Sequence, residues 1–208
     1  KYDSAYQFSN GTAVVTTKIK SQELQGVIDR NGNVIVPIQY DHVKWAPEAE
    51  CYEVLLGEKI GFVDAAGKQL VPPTYDDISA TYEGGFFSVK KGEFWGIVDK
   101  MGKEIVPFIY DGIDSSGRWF LLPYGLAIIE KEGKVGIVSL PSGKVMCSPI
   151  FDDISYTSSV GITAFKGNSV GLIDATGKLV IDTKYDSLSV FSEDLYLVTR
   201  NGLCGLVD

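Results

Sequence analysis

The chain has 208 residues, 45% apolar and 22% charged, enough hydrophobic material to bury a core. Its 19 basic residues are outnumbered by 27 acidic ones, for a net charge of −8. No Lys/Arg cluster of the kind that tracks phosphates is present, which argues against nucleic acid and anionic membrane partners. The richest apolar run, Trp119 to Ile129, is broken by Pro123 and Gly125 and is far short of the ~20 residues of a membrane-spanning helix.

Along the chain one sentence is written repeatedly. GVIDRNGNVIVPIQYDHV starts at Gly26, GFVDAAGKQLVPPTYDDI at Gly61 and GIVDKMGKEIVPFIYDGI at Gly96. GIVSLPSGKVMCSPIFDDI follows at Gly136 and GLIDATGKLVIDTKYDSL at Gly171. A sixth copy is split, Tyr2-Asp3 at the start and Gly205–Asp208 at the end. The motif glycines, with Gly205, are spaced by 35, 35, 40, 35 and 34 residues. That period identifies a repeat architecture and makes residues 1–208 a single array rather than one or two ordinary domains.

Each copy reads as three short extended pieces, the first being Cys51–Leu56, Phe86–Lys90, Leu126–Glu130, Gly161–Phe165 or Leu195–Thr199. Between the second and third stands Asp-x-x-Gly, in which Gly32, Gly67, Gly102 and Gly177 supply a left-handed residue to a type I turn with a bulge. The fourth copy, Ser139 to Gly143, has one more residue and should turn more loosely. Pro37, Pro72 and Pro107 cannot donate to a ladder, so pairing stops there or the strand lies at an edge. The pairs Tyr40-Asp41, Tyr75-Asp76, Tyr110-Asp111, Phe151-Asp152 and Tyr185-Asp186 follow, then links of variable length. No segment has helical periodicity.

This pattern resembles the WG (KWG) repeat family, in which a Trp-Gly pair precedes an I-D-x-x-G-K turn and a closing Pro-x-x-Tyr-Asp. Trp95-Gly96 keeps the name-giving pair; Gln25, Ile60, Val135, Val170 and Cys204 replace the tryptophan elsewhere. The resemblance covers nearly the whole chain. It implies a bacterial β-repeat module without an agreed catalytic role, often in envelope or exported proteins. The fold expected is therefore all-β, tandem ~35-residue units of antiparallel hairpins in an open twisted array. The complementary half-copies at the two ends suggest the alternative, a closed six-unit propeller-like ring.

The repeated aspartates Asp41, Asp76, Asp111, Asp152 and Asp186 invite a calcium reading, but each stands alone beside a ring, without the acidic density of a calcium loop. The expectation is that the ring fills space between hairpins while the carboxylate caps a turn. Phe151, which keeps the ring and drops the hydroxyl, fits that reading. His42 is the sole histidine, read as a turn residue, and no serine sits in a G-x-S-x-G elbow. No phosphate-cradling glycine loop occurs. Glu48, Glu50 and Glu83 read as solvated surface. No catalytic residue, metal or cofactor is assigned. Of the cysteines, Cys147 and Cys204 replace hydrophobes and are expected as buried free thiols.

What remains are aromatics in the links: Trp45, Tyr82, Trp119, Phe120 and Tyr124. Hairpins built to one template present similar surfaces, so recognition belongs where the copies differ. The 114–124 insertion and the stretch around Trp45 differ most, and each sets a tryptophan beside a basic residue, Lys44 and Arg118. These aromatics are the candidate partner-binding residues of a non-catalytic interaction or scaffold module that takes a protein or, alternatively, a glycan, with a glycoside hydrolase-like enzyme as the third reading. Lys1-Tyr2-Asp3 reads as repeat material rather than a signal peptide, and localisation stays open.

Overall fold

A computed structural model describes residues 1–47, 49–82, 84–113, 125–157, 159–193 and 195–208, with the backbone alone over 79–82. Two compact units, Lys1–Phe108 and Ile109–Asp208, divide it. The described residues form 23 strands in six small antiparallel sheets, none closed on itself, and no helix. Accordingly no helix among them is long and apolar enough to cross a membrane.

In the first unit, β1 (Ser4–Ala5), β2 (Thr12–Ile19), β3 (Gln22–Asp29) and β4 (Val34–Tyr40) make one sheet. β5 (His42–Ala46), β6 (Cys51–Leu56), β7 (Lys59–Asp64) and β8 (Gln69–Tyr75) make the next. β9 (Asp77–Tyr82), β10 (Phe86–Lys91), β11 (Phe94–Asp99) and β12 (Glu104–Tyr110) make the third. The second unit repeats the plan with β13 (Gly112–Ile113), β14 (Leu126–Lys131), β15 (Lys134–Ser139) and β16 (Lys144–Phe151). β17 (Asp153–Thr157), β18 (Gly161–Lys166), β19 (Ser169–Ile173) and β20 (Leu179–Tyr185) follow. The last sheet has three strands, β21 (Ser187–Ser192), β22 (Leu195–Arg200) and β23 (Leu203–Val207).

The repeating unit is therefore four-stranded, and the three-strand reading is corrected. The segment after each Tyr-Asp pair is itself a strand, antiparallel to the one that follows: His42 faces Leu55 and Ala46 faces Cys51. Its wording varies because one of its edges is free, so only its inward residues are constrained. Trp45 and Tyr82 thus belong to strands β5 and β9, not to links, and His42 is an exposed strand residue rather than a turn residue.

Burial explains the patterning. The middle strand β6 is buried on both faces at Cys51, Tyr52, Glu53 and Val54, which is why, Glu53 apart, its residues are apolar on both faces rather than alternating. The fourth strands β4, β8 and β12 instead share one alternating profile, inward at Val36, Val71 and Val106 and at the closing tyrosine. They are sheet edges, and Pro37, Pro72 and Pro107 sit exposed on them, as a residue without a donor requires. Neighbouring sheets pack face to face. Phe62 and Phe87 stack with centroids 3.9 Å apart in the first unit, and Ile137, Ile154 and Ile162 join one cluster in the second.

The motif glycines are set by close approach. Beside Gly26, Gly61, Gly136 and Gly171 the fourth strand bulges so that its backbone lies on the glycine. A Cβ at Gly61 would stand 2.7 Å from Val71 O and Pro73 N, and at Gly26 2.6 Å from Val36 O. Of the cysteines, all free, Cys51 is buried and Cys147 half-buried, but Cys204 is exposed. The expectation of a buried Cys204 is corrected: it lies on β23, the edge of a sheet that has three strands among the described residues.

Candidate binding site

The Asp-x-x-Gly turns fold as their residues dictate. Asp29 Oδ1 accepts the amides of Asn31 and Asn33, both at 2.8 Å, while the Gly32 amide closes on Asp29 O at 3.1 Å. The same set recurs at Asp64, Asp99 and Asp174, with φ of 81°, 88°, 78° and 82° at Gly32, Gly67, Gly102 and Gly177. Bonds led by the Asn33 side chain hold the Asp29 carboxyl below its ordinary range. The fourth turn lacks the carboxylate. It closes over five residues, Gly143 donating to Ser139 O at 2.8 Å with φ of 68°.

The second aspartate series makes a clamp. The Asp41 amide donates to Leu55 O at 2.8 Å, and its Oδ2 accepts from the Gly57 amide at 2.6 Å. Asp76 does the same with Lys90 O and the Gly92 amide, at 2.9 and 2.7 Å. In the second unit Asp111 holds Glu130 O and the Glu132 amide, Asp152 holds Phe165 O and Gly167, and Asp186 holds Thr199 O and Asn201. Asp3 completes the series on Thr16 O and the Lys18 amide, 2.9 and 2.6 Å. Each carboxylate thus caps the hairpin that follows it.

The remaining oxygen takes a side-chain donor: Gln22 at Asp41, Lys59 at Asp76, Lys131 at Asp111 and Lys134 at Asp152. The carboxyls of Asp76 and Asp152 are held below the ordinary range by their lysines, then by the hairpin amide. At Asp111 the Glu132 amide leads. Beside them Tyr40, Tyr75, Tyr110 and Phe151 are buried; Tyr75 packs against both Phe62 and Phe108. Tyr185 is half-buried, next to the three-stranded sheet.

Concave surface of a different character lies in the first unit. A cleft of about 240 Å³ is walled by Tyr6, Trp45 and Tyr52 and rimmed by Gln7, Ser9, Asn10 and Thr12. Trp45 meets Tyr52 edge-on, centroids 4.8 Å apart and planes at 64°, and the Tyr52 hydroxyl bonds Thr12 Oγ1 at 3.1 Å. Tyr6 is 61% exposed. One lip is the tight turn Ser9–Thr12, whose ends exchange amide–carbonyl bonds of 2.8 and 3.0 Å. Asn10 and Gly11 there have φ of 48° and 85°, the mirror-image turn that Asn-Gly favours.

Of the aromatics expected to bind a partner, the structure brings Trp45 to this cleft. Trp119, Phe120 and Tyr124 lie outside the described residues, as does the side chain of Tyr82. Sequence reasoning missed Tyr6, Tyr52 and the turn. Asn10-Gly11 was the available signal, a hairpin dipeptide beside aromatics outside the repeated pattern.

Comparison with known proteins agrees with the repeat. The family described as WG containing repeat matches residues 26–46, 60–93, 95–134 and 171–204. No curated protein matches the chain. Among solved structures, a eukaryotic initiation factor aligns at 11% identity and a TM-score of 0.49, covering 96% of this chain and 60% of that one. Kluyveromyces lactis Hsv2p aligns at 11% and 0.39, covering 93% and 69%. The tricorn protease aligns at 11% and 0.35, covering 95% and 28%. The chain spans less than two thirds of the initiation factor's length. With four matched segments covering more than half of its residues, and the Trp95-Gly96 pair inside the third sheet, the chain belongs to the WG-repeat family.

Proposed function

We propose that the chain is a non-catalytic protein-binding module, with the cleft between Tyr6, Trp45 and Tyr52 as its recognition site. The observation that carries this reading is that aromatic cleft, walled by rings and rimmed by amide and hydroxyl groups, between the first sheet and the second. A non-catalytic role is supported by the aspartates, whose oxygens are engaged by backbone amides at each turn and clamp. A place in the bacterial envelope or among exported proteins rests on the family resemblance.

The test uses Tyr6→Ala, because Tyr6 is exposed and its loss leaves the core intact. Affinity capture with the native chain should retain a protein that Tyr6→Ala fails to retain. Capture unaffected by Tyr6→Ala would remove the cleft from the reading. A second reading, carbohydrate binding, is favoured by the side-chain amides and hydroxyls beside the Trp45 ring. A glycan array on which the native chain binds and Tyr6→Ala does not would select it.

A further inference from the structure

We propose that the cleft between Tyr6, Trp45 and Tyr52 takes an uncharged, proline-rich segment of a partner protein, held in the polyproline conformation. This rests on the cleft being the recognition site and names what fills it. Size is the first observation. At about 240 Å³ the cleft is smaller than the ~300–1,000 Å³ that encloses a drug-sized molecule. It suits apolar side chains of a segment that otherwise lies across the surface. Charge is the second. The chain carries 27 acidic and 19 basic residues, yet among the described residues no charged side chain lines the cleft. An ionic occupant would lose its hydration there without gaining a counter-charge, whereas a neutral one avoids that cost.

Hydrogen bonding is the third. The indole Nε1–H of Trp45 can donate but not accept, and among the described residues it forms no hydrogen bond. Beside it stand the side-chain amides of Gln7 and Asn10 and the Ser9 hydroxyl. Donors around apolar rings call for a ligand that offers carbonyl oxygens and few N–H groups. Proline answers both needs: it has no N–H, and in a polyproline helix every carbonyl stays free to accept. Its flat rings dock between aromatic walls of the kind that Tyr6, Trp45 and Tyr52 form. Those walls are set before any partner arrives. The Tyr6 amide donates to Val14 O at 2.9 Å, Trp45 faces Tyr52 across the β5–β6 ladder, and the Tyr52 hydroxyl is tied to Thr12 Oγ1 at 3.1 Å. A preformed cleft and a preformed helix lose little conformational freedom on meeting.

Capped octaproline is the probe, titrated into the full nitrogen-15-labelled chain and followed at the Trp45 indole N–H resonance, which Trp45→Phe identifies. The expected result is a saturable shift of that resonance and no shift with a capped Gly-Ser peptide of equal length. Tyr6→Ala should weaken octaproline binding at least about tenfold, with an unchanged urea midpoint showing that the variant is folded. Absence of a saturable shift overturns the proposal, as does an equal shift from the Gly-Ser peptide or binding indifferent to Tyr6→Ala. If octaproline fails while protein capture still depends on Tyr6, the recognition site stands and the proline chemistry falls. If octaproline fails and a glycan shifts the Trp45 resonance instead, the occupant is a sugar and the proposal falls with the protein reading.

Discussion

Replacing Gly61 with alanine tests how the repeat is built. The residue is one of five strand glycines on which a fourth strand rests. A Cβ there would stand 2.7 Å from Val71 O and Pro73 N and 2.8 Å from Pro72 C, where ordinary contact begins at 3.4 Å. The obstructing atoms are all backbone, so no side chain can swing away. Strand β8 would have to retreat by roughly 0.7 Å while keeping its ladder to β7 and the inward seating of Val71 and Tyr75. Overpacking of this kind costs about 1–3 kcal/mol. Gly205→Ala is the matched control: same motif, same strand position, nothing within 4 Å. Alanine there should be neutral or stabilising by up to about 1 kcal/mol, since glycine weakens a strand interior. Urea unfolding at constant m reads both. Equal costs at the two sites, or a negligible cost at Gly61, would refute the close-approach account.

Three further outcomes are expected. Gly32→Ala should cost about 1 kcal/mol for its left-handed conformation alone, and Gly67→Ala clearly more, because its Cβ would also press on Ile35 O; urea midpoints decide the order. The carboxyls of Asp76, Asp111 and Asp152 are depressed in the folded chain, so their stabilisation is complete above the unfolded pKa near ~4 and is lost as pH falls through the lower folded values. Acid titration of the urea midpoint should therefore fall less steeply in Asp152→Asn; an unchanged slope would contradict it. Cys204 should react with a maleimide in the folded protein, while Cys51, buried with its thiol pushed up to about 12, should react only on unfolding.

How much of this was legible depended on how local the physics is. The Asp-x-x-Gly turns could be read from four residues because donor and acceptor lie within the same four or five. The Tyr-Asp pairs were legible as ring and cap, but the cap's partner was not. The amides that Asp41, Asp111 and Asp186 accept from belong to Gly57, Glu132 and Asn201. Every residue but proline has an amide, so nothing in the sequence marks them. The first strand of each sheet was hidden for a related reason. His42–Ala46 and Ser187–Ser192 share a role but neither length nor wording, since each pairs along one edge only. The cleft depends on Tyr6, just past β1, lining the same space as Trp45 and Tyr52 of the second sheet, a juxtaposition no single repeat contains.

The clamp also explains which repeat positions vary within the chain and which do not. Tyrosine gives way to Phe151 because the ring contributes buried volume, and Phe151 is buried without a hydroxyl. Proline gives way to Ser148 and Asp182 because an exposed edge requires only that no strand be templated there. The aspartate is unchanged at residues 3, 41, 76, 111, 152 and 186 because one residue must both donate to a strand carbonyl and accept from an amide two residues further on. Asparagine could accept but would lose attraction to Lys59 or Lys134, and glutamate would overreach. Within each unit these clamps run from the end of one sheet to the first hairpin of the next, as at Asp41, Asp76, Asp152 and Asp186. Stability is then coupled between neighbours rather than stored in any one sheet. The carboxylates are engaged in that coupling, so the cleft proposed for recognition, between Tyr6, Trp45 and Tyr52, lies on surface that the clamps do not use.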